Sequence, residues 1–271
     1  YLHYTPTSYR SGHYFENFLL QDYNILFKGN PDLENTLFQN AYVLLYRRIE
    51  FYKLNYSFSM NYSKQIKGFS LTNIQTLNLY QMYPIVLDNL SEMYKVSASI
   101  EKQIKKVNFK LGADFSDHTL KSINNEIVQN NKNSHLNIFL KVNSLFKESP
   151  NFTLETLYDH RKSIQANGDA NIFRTFNLNF DTKLKVFNYF FITPVVEYKH
   201  FFDYSDNKNY TIANLNLSFI KPDKSYSFDL MFKNIFNQRY FYNSSFTNQV
   251  FMITQYRVFP FTAMLKMNYS F

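Results

Sequence analysis

The chain has 271 residues and a charge of +8, with 29 Lys and Arg against 21 Asp and Glu and no Cys. Aromatic residues make up 20% (23 Tyr, 30 Phe, no Trp), yet hydrophobic residues reach only 45% and the mean hydropathy is −0.37. Without Cys there is no disulfide framework or thiolate metal site. The longest apolar runs, such as Ala41 to Tyr46 and Tyr189 to Ile192, fall far short of the roughly 20 residues of a membrane helix. The basic residues are scattered rather than gathered into a run, so no nucleic-acid partner is expected. So much Phe and Tyr in a polar chain suits a wall with one apolar face, one polar face and aromatic girdles at two interfaces.

The chain begins Tyr1-Leu2-His3-Tyr4-Thr5, with neither an initiator Met nor a signal peptide, and the sequence predicts a segment of something longer. From residue 37 onward, strict alternation of apolar and polar residues predicts strands. They fall near 37–48, 51–66, 92–102, 105–117, 133–146, 151–160, 170–181, 185–201, 209–220, 225–240 and 257–271. In the second, Tyr52, Leu54, Tyr56, Phe58 and Met60 share a face, with Asn55, Ser57 and Ser59 opposite. In the last, Phe261, Ala263, Leu265, Met267, Tyr269 and Phe271 alternate with mainly polar neighbours.

The connections sort by length. Ile49-Glu50, Gln103-Ile104, Lys147 to Pro150, Thr182 to Leu184 and Lys221 to Lys224 are tight. Lys67 to Ser91, His118 to Lys132, Arg161 to Asp169, Phe202 to Lys208 and Phe241 to Tyr256 are long. Short turns on one rim and long loops on the other predict an all-β, transmembrane, antiparallel outer-membrane barrel. The eleven strands correspond to about half of a 22-stranded plugged barrel, its C-terminal half of 11–12 strands. The whole of 1–271 is then one barrel segment with no plug domain. The final strand should lie at an open edge, beside the strand at 225–240.

Three stretches resemble the barrel of TonB-dependent outer-membrane transporters of the Bacteroidetes type. Gly29-Asn30-Pro31-Asp32-Leu33, followed by Glu34, is similar to a G-N-P-x-L-x-x-E loop in mid-barrel. Lys233-Asn234-Ile235-Phe236-Asn237-Gln238-Arg239-Tyr240 is similar to the N-L-F-[DN]-x-x-Y segment of the next-to-last strand. The tail Pro260 to Phe271 resembles the terminal strand, although Phe261 stands where an Arg is common. The resemblance marks Gly29, Asn30, Pro31, Leu33, Asn234, Phe236, Asn237 and Tyr240 as family-like positions. It makes Tyr269 and Phe271 the signal read by the barrel-assembly machinery. It implies residence in the bacterial outer membrane, contact with its lipid, coupling to TonB through a missing N-terminal part, and a surface lipoprotein as a candidate partner. The implied activity is ligand binding by extracellular loops and energy-coupled uptake of an iron chelate, glycan or peptide.

No catalytic site or cofactor is expected. His3, His13, His118, His135, His160 and His200 make no metal-ligand spacing with one another, though His118, His160 and His200 fall near proposed outer strand ends. Asp114 and Asp117 should face opposite sides of their strand, while Glu155 and Asp159 can share a face, where lumen carboxylates usually pair with Lys or Arg. No nucleophile elbow, Walker loop or dinucleotide fingerprint occurs. Two other readings are compatible with the pattern: a non-transporting structural or assembly barrel, and a small passive porin. The identity of a ligand is not legible, because loop residues carry no local code for it.

Overall fold

The computed structural model describes residues 2–7, 17–22, 25–33, 35–76, 79–124, 127–147, 149–165, 168–203, 209–220, 226–246 and 251–269. They form sixteen strands. The first four are β1 (Leu2–Thr7), β2 (Phe18–Asp22), β3 (Ile25–Lys28) and β4 (Thr36–Ile49). There follow β5 (Leu54–Thr76), β6 (Leu79–Ile104), β7 (Val107–Asn124), β8 (Ile127–Ser144), β9 (Asn151–Ile164), β10 (Ala170–Phe187), β11 (Phe190–Phe201) and β12 (Asn209–Ile220). The last are β13 (Tyr226–Lys233), β14 (Tyr240–Phe246), β15 (Phe251–Arg257) and β16 (Thr262–Tyr269).

One sheet runs in the order β1-β4-β5-β6-β7-β8-β9-β10-β11-β12-β13-β16, every neighbour antiparallel. The β2–β3 hairpin joins it through a short parallel pairing of β3 with β6, and β14 and β15 pair only with each other. From β4 to β16 the wall has the eleven strands expected from residue 37 onward. Its last strand lies at an edge beside β13, and among the described residues the path does not close on itself.

Alternation produces two unlike faces. One cross-strand row reads Leu45, Phe58, Ala98, Ala113, Ile138, Tyr158 and Phe176. The adjacent row on the other face reads Leu44, Ser59, Ser97, Asp114, Asn137, Asp159 and Thr175. The apolar face stays bare, with Leu111 50% and Leu265 71% exposed. A soluble monomer seldom shows an apolar patch beyond roughly 300–600 Å², and this face extends across ten strands. β4 departs from the rule: Tyr42, Leu44 and Tyr46 are exposed on its other face.

The strands are staggered. The row that starts at Leu54, the first residue of β5, passes through Lys102, Phe109, Val142, Leu154, Phe180 and Val196 to Ala213. Ala213 lies seven residues from the β12 end at Ile220, after seven strand steps. About one residue of rise per strand spacing corresponds to a tilt of about 35°.

Several boundaries differ from those the alternation predicts. The stretches 67–91 and 118–132, expected as long loops, are extended hairpins, so that β5 has 23 residues and β6 has 26. Once both faces carry polar side chains the period-2 contrast fades, although the hydrogen-bond ladder continues. A register shift between Gln65 and Lys67, with Asn89 at φ 50°, marks where the β5–β6 hairpin changes course. The expected turn at Thr182 to Leu184 lies inside β10, and the chain reverses at Asn188-Tyr189 instead. Tyr52 is not in a strand. It lies in the Glu50–Lys53 turn, closed by the Lys53 amide donating to the Glu50 carbonyl (3.0 Å) with Lys53 at φ 46°. The strand expected to 240 stops at Lys233, and the one expected from 257 begins at Thr262. The tight connection Lys221 to Lys224 lies outside the described residues. The antiparallel order still puts the β12–β13 end on the same rim as the β8–β9 turn and opposite the β7–β8 end.

Gly112 shows how closely the wall is packed. Its row neighbour Phe139 lies over it, and a Cβ there would press into the ring, 2.7 Å from Cε1 and 3.1 Å from the Ala98 carbonyl oxygen. Replacing Gly112 by Val should cost about 1–3 kcal/mol of stability, while Ser99→Ala, which removes one side of the Ser57–Ser99 hydroxyl bond (2.8 Å), should cost about 1 kcal/mol. Urea unfolding followed by Tyr fluorescence checks the order of the two.

Candidate functional site

The polar face carries paired charges at its centre. Asp159, 6% exposed, accepts from Arg161 Nε (3.1 Å) and a second guanidinium nitrogen (2.7 Å), with His135 Nε2 at 3.2 Å. Lys141 pairs with Glu155, and Asn108 donates to Glu101 (2.7 Å). As the alternation requires, Asp114 lies on this face and Asp117 on the other, where Ser134 (2.6 Å) and Lys132 (2.9 Å) hold it. Glu155 and Asp159 share the polar face, each with its cation.

One apolar island interrupts this face. Phe173, Phe201 and Tyr210 point to the polar side and are buried with Tyr242 of β14. Ile212 and Phe241 pack around them, and the Phe241 and Tyr210 rings meet edge-on at 5.1 Å. The β14–β15 hairpin, expected as the loop Phe241 to Tyr256, is therefore folded over the polar face. Burying four aromatic rings stabilises this placement by several kcal/mol, at about 1.5–3 kcal/mol for each large side chain.

Between hairpin and wall lies a cleft of about 620 Å³. β8 and β9 contribute Phe139, Lys141, Glu155 and Leu157, and β10 contributes Asn177 and Asn179. Glu197 and Lys199 of β11, Tyr210 of β12 and Phe241 of β14 complete it. The size lies within the roughly 300–1,000 Å³ of small-ligand sites. Charged and amide side chains face aromatic ones across it, an arrangement suited to binding.

The motif that resembles a penultimate strand is the hinge of this hairpin. Asn234 is 4% exposed with φ 52°. Its side-chain amide donates to the Gln238 carbonyl (2.8 Å) and the Phe259 carbonyl (2.8 Å), and its oxygen accepts from the Gln238 amide (2.8 Å). Its backbone amide donates to Asn214 Oδ1 (2.9 Å), and Asn237 Oδ1 accepts from the Phe261 amide (3.2 Å). One residue thus joins the departing chain, the returning chain and β12. Phe236 and Tyr240 are exposed, at 64% and 42%.

The other motif lies six strands away along the wall. Asn30 donates to the Pro84 carbonyl of β6 (3.2 Å) and accepts from the Asp32 amide (3.0 Å). Gly29 and Leu33 are buried and Pro31 is exposed, while Glu34 lies outside the described residues. The two motifs are not brought together, and neither lines the cleft. Tyr269 ends β16 with its side chain 57% exposed, and Phe271 lies outside the described residues.

His118 and His160 lie within β7 and β9 rather than at strand ends. His200 bonds to Asn209 where β11 meets β12. Beside it, Arg174 reaches both oxygens of Asp203 (Nε to each, 3.1 Å), and this bonding holds the Asp203 carboxyl below the usual carboxylate range. Sequence reasoning misses the cleft because its residues are one to three ordinary positions from each of six strands. Alternation marks Lys141, Asn177 and Asn179 as polar sides of their strands and lets Glu155 share a face with Asp159, but it does not bring them together. No protein-family model matches the chain, and no curated protein matches it.

Asn234→Ala removes three buried hydrogen bonds and leaves their backbone partners unsatisfied, at about 1–3 kcal/mol each. Asn234→Asp keeps the acceptor but turns a carboxylate oxygen toward two carbonyls. Both variants should release the hairpin, so that limited proteolysis cuts within 240–257 at least tenfold faster. Cleavage at the unsubstituted rate would show that the aromatic island alone holds it.

Proposed function

We propose that the chain is a section of the wall of an outer-membrane β-barrel of the TonB-dependent transporter type, serving ligand binding and energy-coupled uptake. The observation that carries this reading is the continuous bare apolar face, with an opposite face of paired charges and amides. In water such a face would be costly. In lipid it is the expected surface, provided that every backbone group is paired within the sheet.

The edges of the belt support the same reading. At the short-turn end lie Phe51, Tyr52, Phe190, Tyr226 and Tyr269, with Phe190 and Phe219 rings 5.0 Å apart. At the other end the apolar face becomes polar. There Tyr62 and Tyr94 donate to Glu92 (3.0 and 2.7 Å), and Lys132 and Arg174 meet their carboxylates. On β5 the apolar set Leu54–Tyr62 spans about 27 Å along the strand, or about 22 Å along the normal at a 35° tilt, close to the ~25 Å apolar band of such barrels. The stagger of about one residue per strand is that of a sheet curving toward closure.

In this reading the hairpins extended beyond the belt form the outer vestibule, and the free edge of β16 meets further barrel strands. The resemblance of Asn234–Tyr240 and of the terminal strand favours a transporter over a passive porin. The cleft beneath the β14–β15 hairpin is where ligand would rest, and the chemistry is binding and gating rather than bond-breaking.

The absence of native Cys makes a direct test available. Single Cys replacements at Phe58, Leu111, Leu140 and Leu230 should be spared by a membrane-impermeant maleimide in outer-membrane preparations. Cys at Asn55, Asn137 and Asn216 should react. Equal labelling of both sets would sink the membrane reading. Separately, Tyr269→Ser with Phe271→Ser should lower the amount inserted several-fold at unchanged synthesis, read by membrane fractionation. Normal insertion would remove the assembly-signal role of these aromatics.

A further inference from the structure

We infer that the cleft under the β14–β15 hairpin is a binding site for a short peptide with free termini, a di- or tripeptide. The inference rests on the barrel-wall reading, because the polar face must meet water for ligand to reach it.

The geometry is a grid. Asn177 lies directly across from Lys199, and Asn179 directly across from Glu197. On the outer sides, Leu157 pairs across with Asn177 and Glu155 with Asn179, while Tyr210 flanks Lys199 and Ile212 flanks Glu197. Phe241 covers the Tyr210 side, and Phe139 closes the other end.

The charges in this grid are not equivalent. Lys141 and Glu155 neutralise each other. Among the described residues Glu197 and Lys199 have no such partner, and Lys199 Nζ rests 4.9 Å from the centroid of the Phe201 ring. One carboxylate and one ammonium without a salt bridge among the described residues, the ammonium with Asp159 as its more distant counter-charge, stand two residues apart on one strand, about 6.6 Å at the backbone. Two extended residues span about 7 Å. The ammonium of a short peptide can therefore meet Glu197 while its carboxylate meets Lys199. The side-chain amides of Asn177 and Asn179 each offer a donor and an acceptor, which a peptide group matches. An apolar side chain of the peptide would lie against the Tyr210–Phe241 ring pair.

Other ligand classes fit less well. A polyanionic chelate calls for an excess of cations, and the cleft balances Lys141 and Lys199 against Glu155 and Glu197. A neutral sugar would use the aromatic faces and the amides but would leave two opposite charges unanswered.

The test is calorimetric titration of the full chain, extracted from the outer membrane in detergent, with five probes: Ala-Phe-Ala, its N-acetylated form, its C-amidated form, the peptide capped at both ends, and maltotriose. The free peptide should bind, and capping both termini should weaken it at least tenfold. Glu197→Gln should weaken the free peptide about tenfold and leave the N-acetylated peptide unchanged. Lys199→Met should weaken the free peptide by a similar factor and leave the C-amidated form unchanged. The inference is overturned by equal affinity for free and capped peptide, by tighter binding of maltotriose, or by no heat with Ala-Phe-Ala. The labelling experiment separates the two readings. Sided labelling without peptide binding defeats the peptide site alone, and peptide binding without sided labelling supports the site and defeats the membrane wall.

Discussion

Register is the constraint on which the rest of this structure depends. Side chains alternate with a period of two, so a slip of one residue on any strand would exchange its faces. A slip of β9 would carry Glu155 and Asp159 onto the side of Leu140 and Ile138, and would strand Lys141 and His135 of β8 without their partners. The ion pairs thus specify alignment more than they stabilise it, since exposed pairs are worth about 0–1 kcal/mol. The Ser57–Ser99 hydroxyls and the Gly112–Phe139 contact fix the same alignment by shape.

The period of two also decides which elements are legible in the sequence. Every wall strand from β4 onward is visible there where one face is apolar and the other is not, and the faces of Asp114, Asp117, Glu155 and Asp159 follow from parity. Legibility ends where that contrast ends. In 67–91, Ser70 and Thr72 on one side and the Lys67–Asp88 cross-strand pair on the other put polar groups on both faces, so the ladder continues without an apolar stripe to mark it. Lys233 to Tyr240 reads as strand because Phe232, Ile235 and Phe236 are apolar. The positive φ of Asn234 and Asn237 and the buried side chain of Asn234 turn the chain out of the wall there.

The cleft is illegible for a different reason. Its members come from six strands spread between Phe139 and Phe241, each at a position ordinary for its strand. Only the pairing of β10 with β11 places Asn177 opposite Lys199 and Asn179 opposite Glu197. Nothing local distinguishes these residues from the polar positions of other strands.

The in-folded hairpin joins these two levels. A polar wall offers little apolar surface to hold a segment against it, so Phe173, Phe201 and Tyr210 are needed on the otherwise polar side. They would be a liability if uncovered, and Tyr242 and Phe241 cover them. Among the described residues the attachment is therefore confined to one island and one hinge, Asn234, with the cleft lying beside the island rather than beneath the whole hairpin. A ligand that packs against Phe241 and Tyr210 would add apolar contact to that same island. Binding would then favour the folded-in arrangement to the extent that the ligand touches Phe241 there and loses it when the hairpin leaves. If the cleft binds the proposed peptide, its occupancy and the position of the hairpin would be linked through the Tyr210–Phe241 ring pair.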